Sequence, residues 1–374
     1  MNIAVDLRSL QSGTISGVEN YTYNLLENLL IVDKKNKYSL FYNGFKPLDT
    51  ETFQFINAKV VKGRLPNRLL NLGLRLGTLD FNNLAGGCDV LFMPNLNTVN
   101  LSLKSKLAIT VHDMSPVIVP EFYDVKRKLW HKFLQIKKIL LRADVIFTVS
   151  KYTKNDIIRL YGMDEMKIKV VYPGVDLKIF NPQIPEKDMR SARNSYSLPG
   201  KYFLFLNTIE PRKNLIGAVE AFEKANLDSH LVVAGKRGWK TGKIFRKLKN
   251  SAKKNRIHFL GYVKEEDKPA IIKMATGLLY PSFYEGFGFQ ALEAMAIGTP
   301  VIASQVTSLP EVVADAGLLI NPYNLRDLVT AMENLEYSGF LKTTLVKKGL
   351  ERARSFSWKE STLKTLAHLE EVAS

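Results

Sequence analysis

The sequence predicts an α/β protein built from two doubly wound, Rossmann-like domains, and three observations support that. Short apolar runs of strand length alternate with helical stretches along the whole chain, which is the pattern of parallel sheets. The order of these runs repeats in the second half. At 374 residues the chain exceeds the usual single-domain size, and a Pro-rich, polar, weakly periodic stretch interrupts it midway. The expected division is a first domain at 1–180, a linker at 181–199, a second domain at 200–355, and a final helix in 356–374.

In the first half, strands are expected at 2–7, 38–42, 90–93, 107–111, 145–149 and 168–171, with a helix at about 18–30 after a Gly/Ser loop. In the second half they are expected at 202–206, 230–234, 257–260, 277–280 and 301–303. The linker carries helical character near 187–195. The final helix, 358–372, presents Leu363, Leu366, Leu369 and Val372 at helical spacing.

Hydrophobic residues make up 46% of the chain, enough for two cores. A lone cysteine, Cys88, excludes an internal disulfide and fits a reducing compartment. The first residues lack a basic segment followed by an apolar run, so no signal peptide is expected. No apolar run has spanning length either.

A net charge of +17 calls for an anionic partner. From 125 to 142, Lys126, Arg127, Lys128, Lys132, Lys137, Lys138 and Arg142 interleave with Leu129, Trp130, Phe133, Leu134, Ile136, Ile139 and Leu140. A basic amphipathic helix of this kind reads as lying on an anionic bilayer. An ordinary helix with a core face and a solvated basic face fits the same pattern. The stretch 64–76 has similar character. The basic region 236–256 has fewer large apolar residues and reads as a solvated face or a region near phosphate. No zinc-ligand cluster, basic zipper or RNA-binding signature is present, so nucleic acid is not an expected partner.

The most informative segment runs from Tyr280 to Ser304. A strand leads into a loop with Gly286 and Gly288, and a helix follows. Glu285 and Glu293, eight residues apart, bracket the loop and the start of the helix. Ligands of open α/β sheets bind outside the carboxyl ends of strands, and glycines with a helix N-terminus suit a phosphate. A carboxylate there accepts hydrogen bonds from hydroxyls instead, as on a sugar or ribose. A second strand exit, Phe205-Leu-Asn-Thr-Ile-Glu-Pro-Arg-Lys-Asn-Leu215, places Arg212 and Lys213 at a helix mouth with Asn214 as the N-cap.

These segments resemble the E-x7-E and E-P-R-K-N signatures of family 4 (group 1) retaining glycosyltransferases, with motifs extending from near residue 3 to near residue 320. The resemblance implies a GT-B fold, two Rossmann-like domains facing across a deep cleft, with the final helix crossing back to the first domain. It implies that Glu285 contacts the donor sugar, Glu293 the ribose, and Lys213 the departing diphosphate, with Gly286, Phe287 and Gly288 lining the same loop. His112, just past a strand end, matches the histidine at the donor sugar and is expected to be catalytic together with Glu285. Gly17, in the loop that starts at Gly13, matches the N-terminal glycine loop. Gly261 and Tyr262 match the stretch that flanks the base, and Gly235 and Lys236 match the strand end near the nucleotide. Ser150 and the run Pro173-Gly-Val-Asp176 read as structural. The chain departs from the pattern at Asn207-Thr208, where many relatives carry Gly-Arg. Arg212 is the candidate for the second positive charge, and the role of Thr208 stays open.

The expected activity is transfer of a hexose, mannose first, from a nucleoside diphosphate sugar (GDP-mannose first). The acceptor is a lipid-linked glycan or cell-surface polysaccharide at the inner face of the cell membrane. No Asp-x-Asp pair occurs, so no metal is expected, and no cofactor beyond the donor. Two alternatives stay open. Gly286-Phe-Gly-Phe-Gln-Ala291 formally matches the dinucleotide fingerprint, with Glu311 twenty residues after the alanine, as in an NAD-dependent oxidoreductase. A nucleotide-sugar epimerase on the same fold is the other.

Overall fold

The computed structural model describes residues 1–12, 17–45, 53–102 and 104–374. They form two units. The first comprises Met1–Met114, Lys126–Gly174 and Ser357–Ser374, and the second Ser115–Val125 and Val175–Phe356.

The first unit holds a seven-stranded sheet: β1 (Asn2–Asp6), β2 (Lys37–Asn43), β3 (Ala58–Gly63), β4 (Val90–Met93), β5 (Lys106–Val111), β6 (Val145–Thr148) and β7 (Ile168–Val170). All neighbours pair in parallel, in the order β3-β2-β1-β4-β5-β6-β7. The central strands are buried on both faces, which is why they read as unbroken apolar runs such as Val90-Leu-Phe-Met93. Edge strand β3 is different. Its residues Ala-Lys-Val-Val-Lys-Gly are half-buried or exposed, and its apolar signal is too weak to announce a strand.

The helix Gly17–Val32 packs against the final helix, Trp358–Ala373, which belongs to this unit. The Tyr21 and Trp358 rings meet with centroids 5.9 Å apart. Ser357 caps the final helix by accepting a hydrogen bond from the Glu360 backbone N–H. The chain passes so close at Gly174 that a Cβ there would sit 2.1 Å from the Trp358 nitrogen, so only glycine fits.

The second unit holds β8 (Tyr202–Leu206), β9 (His230–Ala234), β10 (Ile257–Gly261), β11 (Gly277–Tyr280), β12 (Val301–Ser304) and β13 (Leu318–Ile320), in the parallel order β10-β9-β8-β11-β12-β13. One face of this sheet is packed by Phe203, Phe205, Leu231 and Val233 against Phe222 and Met332 from the covering helices. In both sheets the order reverses beside the first strand, between β1 and β4 and between β8 and β11. Such a reversal opens a crevice at the strands' carboxyl ends.

Two features depart from the expected organisation. The segment Ser115–Val125, which follows β5 in sequence, packs within the second unit. Phe122 stacks on Phe283 and Tyr123 on Trp239, each at 5.5 Å, and the Trp239 indole N–H donates to the Phe122 carbonyl at 2.8 Å. The single basic helix expected over 125–142 is two helices, Val125–Leu134 and Ile136–Arg142, because Gln135 takes a left-handed conformation (φ 53°). The break lets Ile136, Ile139 and Leu140 turn into the core while Leu129 and Trp130 stay at the surface. Among the described residues no helix is long and apolar enough to cross a membrane.

Candidate active site

The second unit's crevice lies between β8 and β11, and the turns leaving those strands carry its charges. After β8, Arg212 and Lys213 end the short turn Pro211–Lys213. Asn214, in a left-handed conformation, then caps the helix Leu215–Lys224 by accepting from the Gly217 backbone N–H. The Asn214 side-chain amide also donates to the carbonyls of Pro281 and Pro322, tying this turn to the loops after β11 and β13.

That loop brings Glu285 against both cations. Lys213 Nζ lies 2.6 Å from Glu285 Oε1, and Arg212 Nη1 lies 3.4 Å from Oε2, with all three side chains buried. Arg212 also donates to Glu210 Oε1 through Nε at 3.0 Å and to the Tyr284 carbonyl through Nη1 at 2.7 Å. Burial alone would push Glu285 up, but Lys213 and Arg212 outweigh it and hold the carboxyl below its ordinary value. Burial lowers Lys213; Glu285 opposes that and Arg212 adds to it. The Tyr280 phenol, 5.7 Å from Lys213 Nζ at its ring centre, is kept protonated by burial and the Glu285 charge.

The glycine loop is held from behind. The Ser308 hydroxyl lies 3.0 Å from the carbonyls of both Glu285 and Phe287 and shares its one proton between them. The Glu285 backbone N–H donates to Thr307 Oγ1. Phe287 is buried against Phe289 and Phe356. Gly288 precedes the helix Phe289–Ile297 at φ 119°, a conformation that side chains resist. Within that helix Glu293 is buried and pairs with Lys268.

The exits of β8, β9 and β10 are laced together. The Asn207 N–H donates to the Ala234 carbonyl, Ile209 to Lys236, and Gly235 to Gly261. Gly235 has no alternative: at φ 140°, a Cβ would lie 1.8 Å from the Asn207 carbonyl oxygen. Tyr262 is exposed just beyond.

In the first unit Gly17 opens the helix Gly17–Val32, while Gly13 and the loop through residue 16 lie outside the described residues. His112 follows β5. Its Nε2 donates to the Pro94 carbonyl at 2.8 Å, which leaves Nδ1 as the unprotonated nitrogen of the neutral ring. Its ring stands edge-on to Tyr21 at 4.8 Å.

The second unit therefore brings Arg212, Lys213, Glu285, Gly286, Phe287 and Gly288 to one switch point. Gly235, Lys236, Gly261 and Tyr262 lie at the neighbouring strand ends, and Glu293 sits on the helix behind the glycine loop. Gly17 and His112 belong to the other unit. Sequence reasoning did not find Glu210, Lys268, Thr307 or Ser308. The first stands inside the E-P-R-K-N run and was open to reading as a partner for Arg212. The other three meet the site only through the fold.

Comparison with known proteins identifies the class. The glycosyltransferase family 4 domain matches residues 15–179, and the glycosyl transferases group 1 domain matches residues 188–352. The O-antigen chain mannosyltransferase B of Escherichia coli is 33% identical over 266 residues, covering 69% of this chain and 68% of that protein. The serotype-specific mannosyltransferase WbdA of Escherichia coli is 26% identical over 259 residues, which is 68% of this chain but 32% of that longer protein. Among solved structures, the sucrose-phosphate synthase of Thermosynechococcus elongatus superposes over the full length of both chains, with a TM-score of 0.78 at 21% identity. The fold is thus that of the GT-B glycosyltransferases. The chain belongs to the group 1, family 4 glycosyltransferases and is itself a glycosyltransferase. The epimerase alternative is not favoured by this membership.

The histidine gives a test. Burial holds His112 below its ordinary value, against the Pro94 carbonyl and the Asp113 and Glu19 charges, which favour the proton. The folded protein therefore binds this proton less readily than the unfolded chain, so the stability His112 contributes is complete above its unfolded value and is lost as pH falls below it. Urea unfolding at about pH 7.5 and about pH 5.5 should show wild type losing up to about 1.4 kcal/mol per pH unit more than His112→Gln. Equal slopes would mean that His112 is not held as the neutral ring.

Proposed function

We propose that this glycosyltransferase moves a hexose, mannose first, from a nucleoside diphosphate sugar to a lipid-linked glycan or a growing cell-surface polysaccharide. The observation that carries the reading is the Glu285 carboxylate buried between Lys213 and Arg212 at the β8/β11 switch point. Two cations at one helix mouth suit a diphosphate, and a carboxylate beside them suits sugar hydroxyls. Mannose and a polysaccharide acceptor are supported by the two mannosyltransferase relatives, and GDP-mannose is the donor to try first.

In this reading Lys213 and Arg212 neutralise the departing diphosphate without a divalent metal. Transfer retains the donor's configuration by front-face substitution. The C1–O bond to the diphosphate breaks with its electron pair leaving on the diphosphate. The acceptor oxygen bonds C1 from the same face, and the acceptor's proton passes to the departing diphosphate oxygen. His112 serves at the donor sugar. Gly235, Lys236, Gly261 and Tyr262 face the nucleotide, and Glu293 accepts from the ribose.

The acceptor is met at the inner face of the cell membrane through an exposed surface on the first unit. Arg75 joins its two basic helical stretches, donating to the Phe133 carbonyl at 2.6 Å with its guanidinium 4.4 Å from that ring's centre. Leu69, Leu72, Leu76, Leu129 and Trp130 are exposed beside Arg64, Arg68, Lys126 and Lys128. Apolar and cationic side chains together suit an anionic bilayer.

A thermal-shift screen against GDP, UDP, ADP, dTDP and NAD, with chelator present, tests the donor reading. One nucleoside diphosphate should raise the melting temperature, and Lys213→Ala should weaken its binding about tenfold or more. A response to NAD alone would instead make the Gly286–Gly288 loop a dinucleotide site. Proton NMR of the product should show the donor's anomeric configuration kept; inversion, or a sugar trapped covalently on a side chain, would remove front-face transfer. Reversing the charge at Lys126, Arg127, Lys137 and Lys138 should abolish sedimentation with phosphatidylglycerol-containing vesicles. Undiminished binding would move the membrane contact elsewhere.

A further inference from the structure

Lys268 is a buried cation outside the diphosphate cluster. It opens the helix Lys268–Lys273, which follows the loop leaving β10. Its ammonium lies 3.1 Å from Glu293 Oε1 and 3.1 Å from Glu265 Oε2, with the Phe180 ring centre 5.4 Å away. Glu265 belongs to the loop that begins at Gly261 and Tyr262, and Glu293 to the helix Phe289–Ile297. One ammonium thus links the loop assigned to the base with the carboxylate assigned to the ribose.

The side chains of Lys268 and Glu293 are only 9% and 4% exposed. A carboxylate enclosed in this way takes up a proton unless a cation or donors stabilise its charge. Burial pushes Glu293 above its ordinary value, and Lys268 opposes that rise. The two oxygens of Glu293 differ. Oε1 accepts from Lys268, whereas Oε2, also 3.1 Å from the ammonium, lies off its hydrogen-bond direction. Among the described residues no donor is aligned with Oε2, although it is fully enclosed. An enclosed acceptor without a donor is costly, and a ligand hydroxyl admitted by a shift of the side chains covering Oε2 would satisfy it.

We propose that Lys268 is a positioning residue that keeps Glu293 ionised with Oε2 presented to a ribose hydroxyl, so that the site selects ribonucleotide over deoxyribonucleotide donors. The inference rests on the nucleotide-sugar reading above. It differs from a placeholder role, in which Lys268 occupies the hydroxyl's place and its removal tightens binding.

Titration calorimetry of the full chain with GDP, UDP and ADP, and with their 2′-deoxy and 3′-deoxy forms, tests it. Wild type should favour one ribonucleotide over at least one of its deoxy forms by about tenfold. Lys268→Met should weaken that ribonucleotide about tenfold, leave the deoxy form within about twofold, and so erase the preference. Lys268→Arg should keep it. In Lys268→Met, affinity for the ribonucleotide should recover only as pH rises, with a midpoint about one unit or more above wild type, because nothing offsets the burial of Glu293. A purely structural role moves neither the preference nor that midpoint. Should Lys268→Met not fold, Glu293→Gln must lose the same preference, and its retention there overturns the proposal. Unchanged preference or tighter binding in folded Lys268→Met overturns it while leaving the nucleotide reading intact. Failure of wild type to bind any of the three diphosphates overturns that reading, and this inference with it.

Discussion

Glu285 sits with almost no access to water between Lys213 and Arg212, and the geometry of the second unit's crevice follows from that contact. Buried ions seldom add net stability, since desolvation offsets attraction, but removing one partner is costly because the other is left uncompensated. What the cluster does supply is position. Arg212 donates to the Tyr284 carbonyl, and the Phe283 N–H donates to the Arg212 carbonyl, so the exits of β8 and β11 form one piece. Asn214 adds its bonds to Pro281 and Pro322. From those joined loops Gly288 starts its helix at φ 119°, a conformation open to glycine and resisted by residues with a Cβ.

The same view changes the meaning of the chain's positive charge. The region 236–256 carries many cations and no acid, yet several of these cations are engaged by the protein itself. Lys253 donates to the carbonyls of Phe222 and Ala225, and Arg256 to those of Leu227 and Ser229, at and beyond the end of the helix Leu215–Lys224. Cations there complete a helix terminus whose last carbonyls lack partners. Lys247 pairs with Glu223 on that helix. Charge counted along the sequence therefore overstates the charge free to meet an anionic partner.

Most of the fold was legible because the inner strands are buried on both faces and must be apolar throughout. The segments Val90–Met93, Tyr202–Leu206, His230–Ala234 and Gly277–Tyr280 coincide with their predicted extents. Of the four edge strands, β7 and β10 were legible, and β3 and β13 were not. β3 is lysine-bearing and largely exposed, and β13 has three residues, so neither carries a readable pattern. The helix break at Gln135 also escaped, since glutamine gives no local signal for a left-handed turn. In the crevice, Glu285 and Lys213 could be read because each lies in a short run after an apolar strand. Lys268 could not be assigned to Glu293, because their meeting is long-range and depends on how two helices pack.

The bond from Gly235 to Gly261, and those from Asn207 to Ala234 and Ile209 to Lys236, make the exits of β8, β9 and β10 mechanically continuous. Residues in one bonded network do not respond to substitution independently. Altering the β10 exit would shift Gly235, and through it the backbone leading to the Lys213 turn. In the nucleotide-sugar reading proposed above, recognition of the two ends of the nucleotide is then coupled through one backbone network. Changing one without loss at the other requires compensating substitutions around Gly235, which must itself stay glycine.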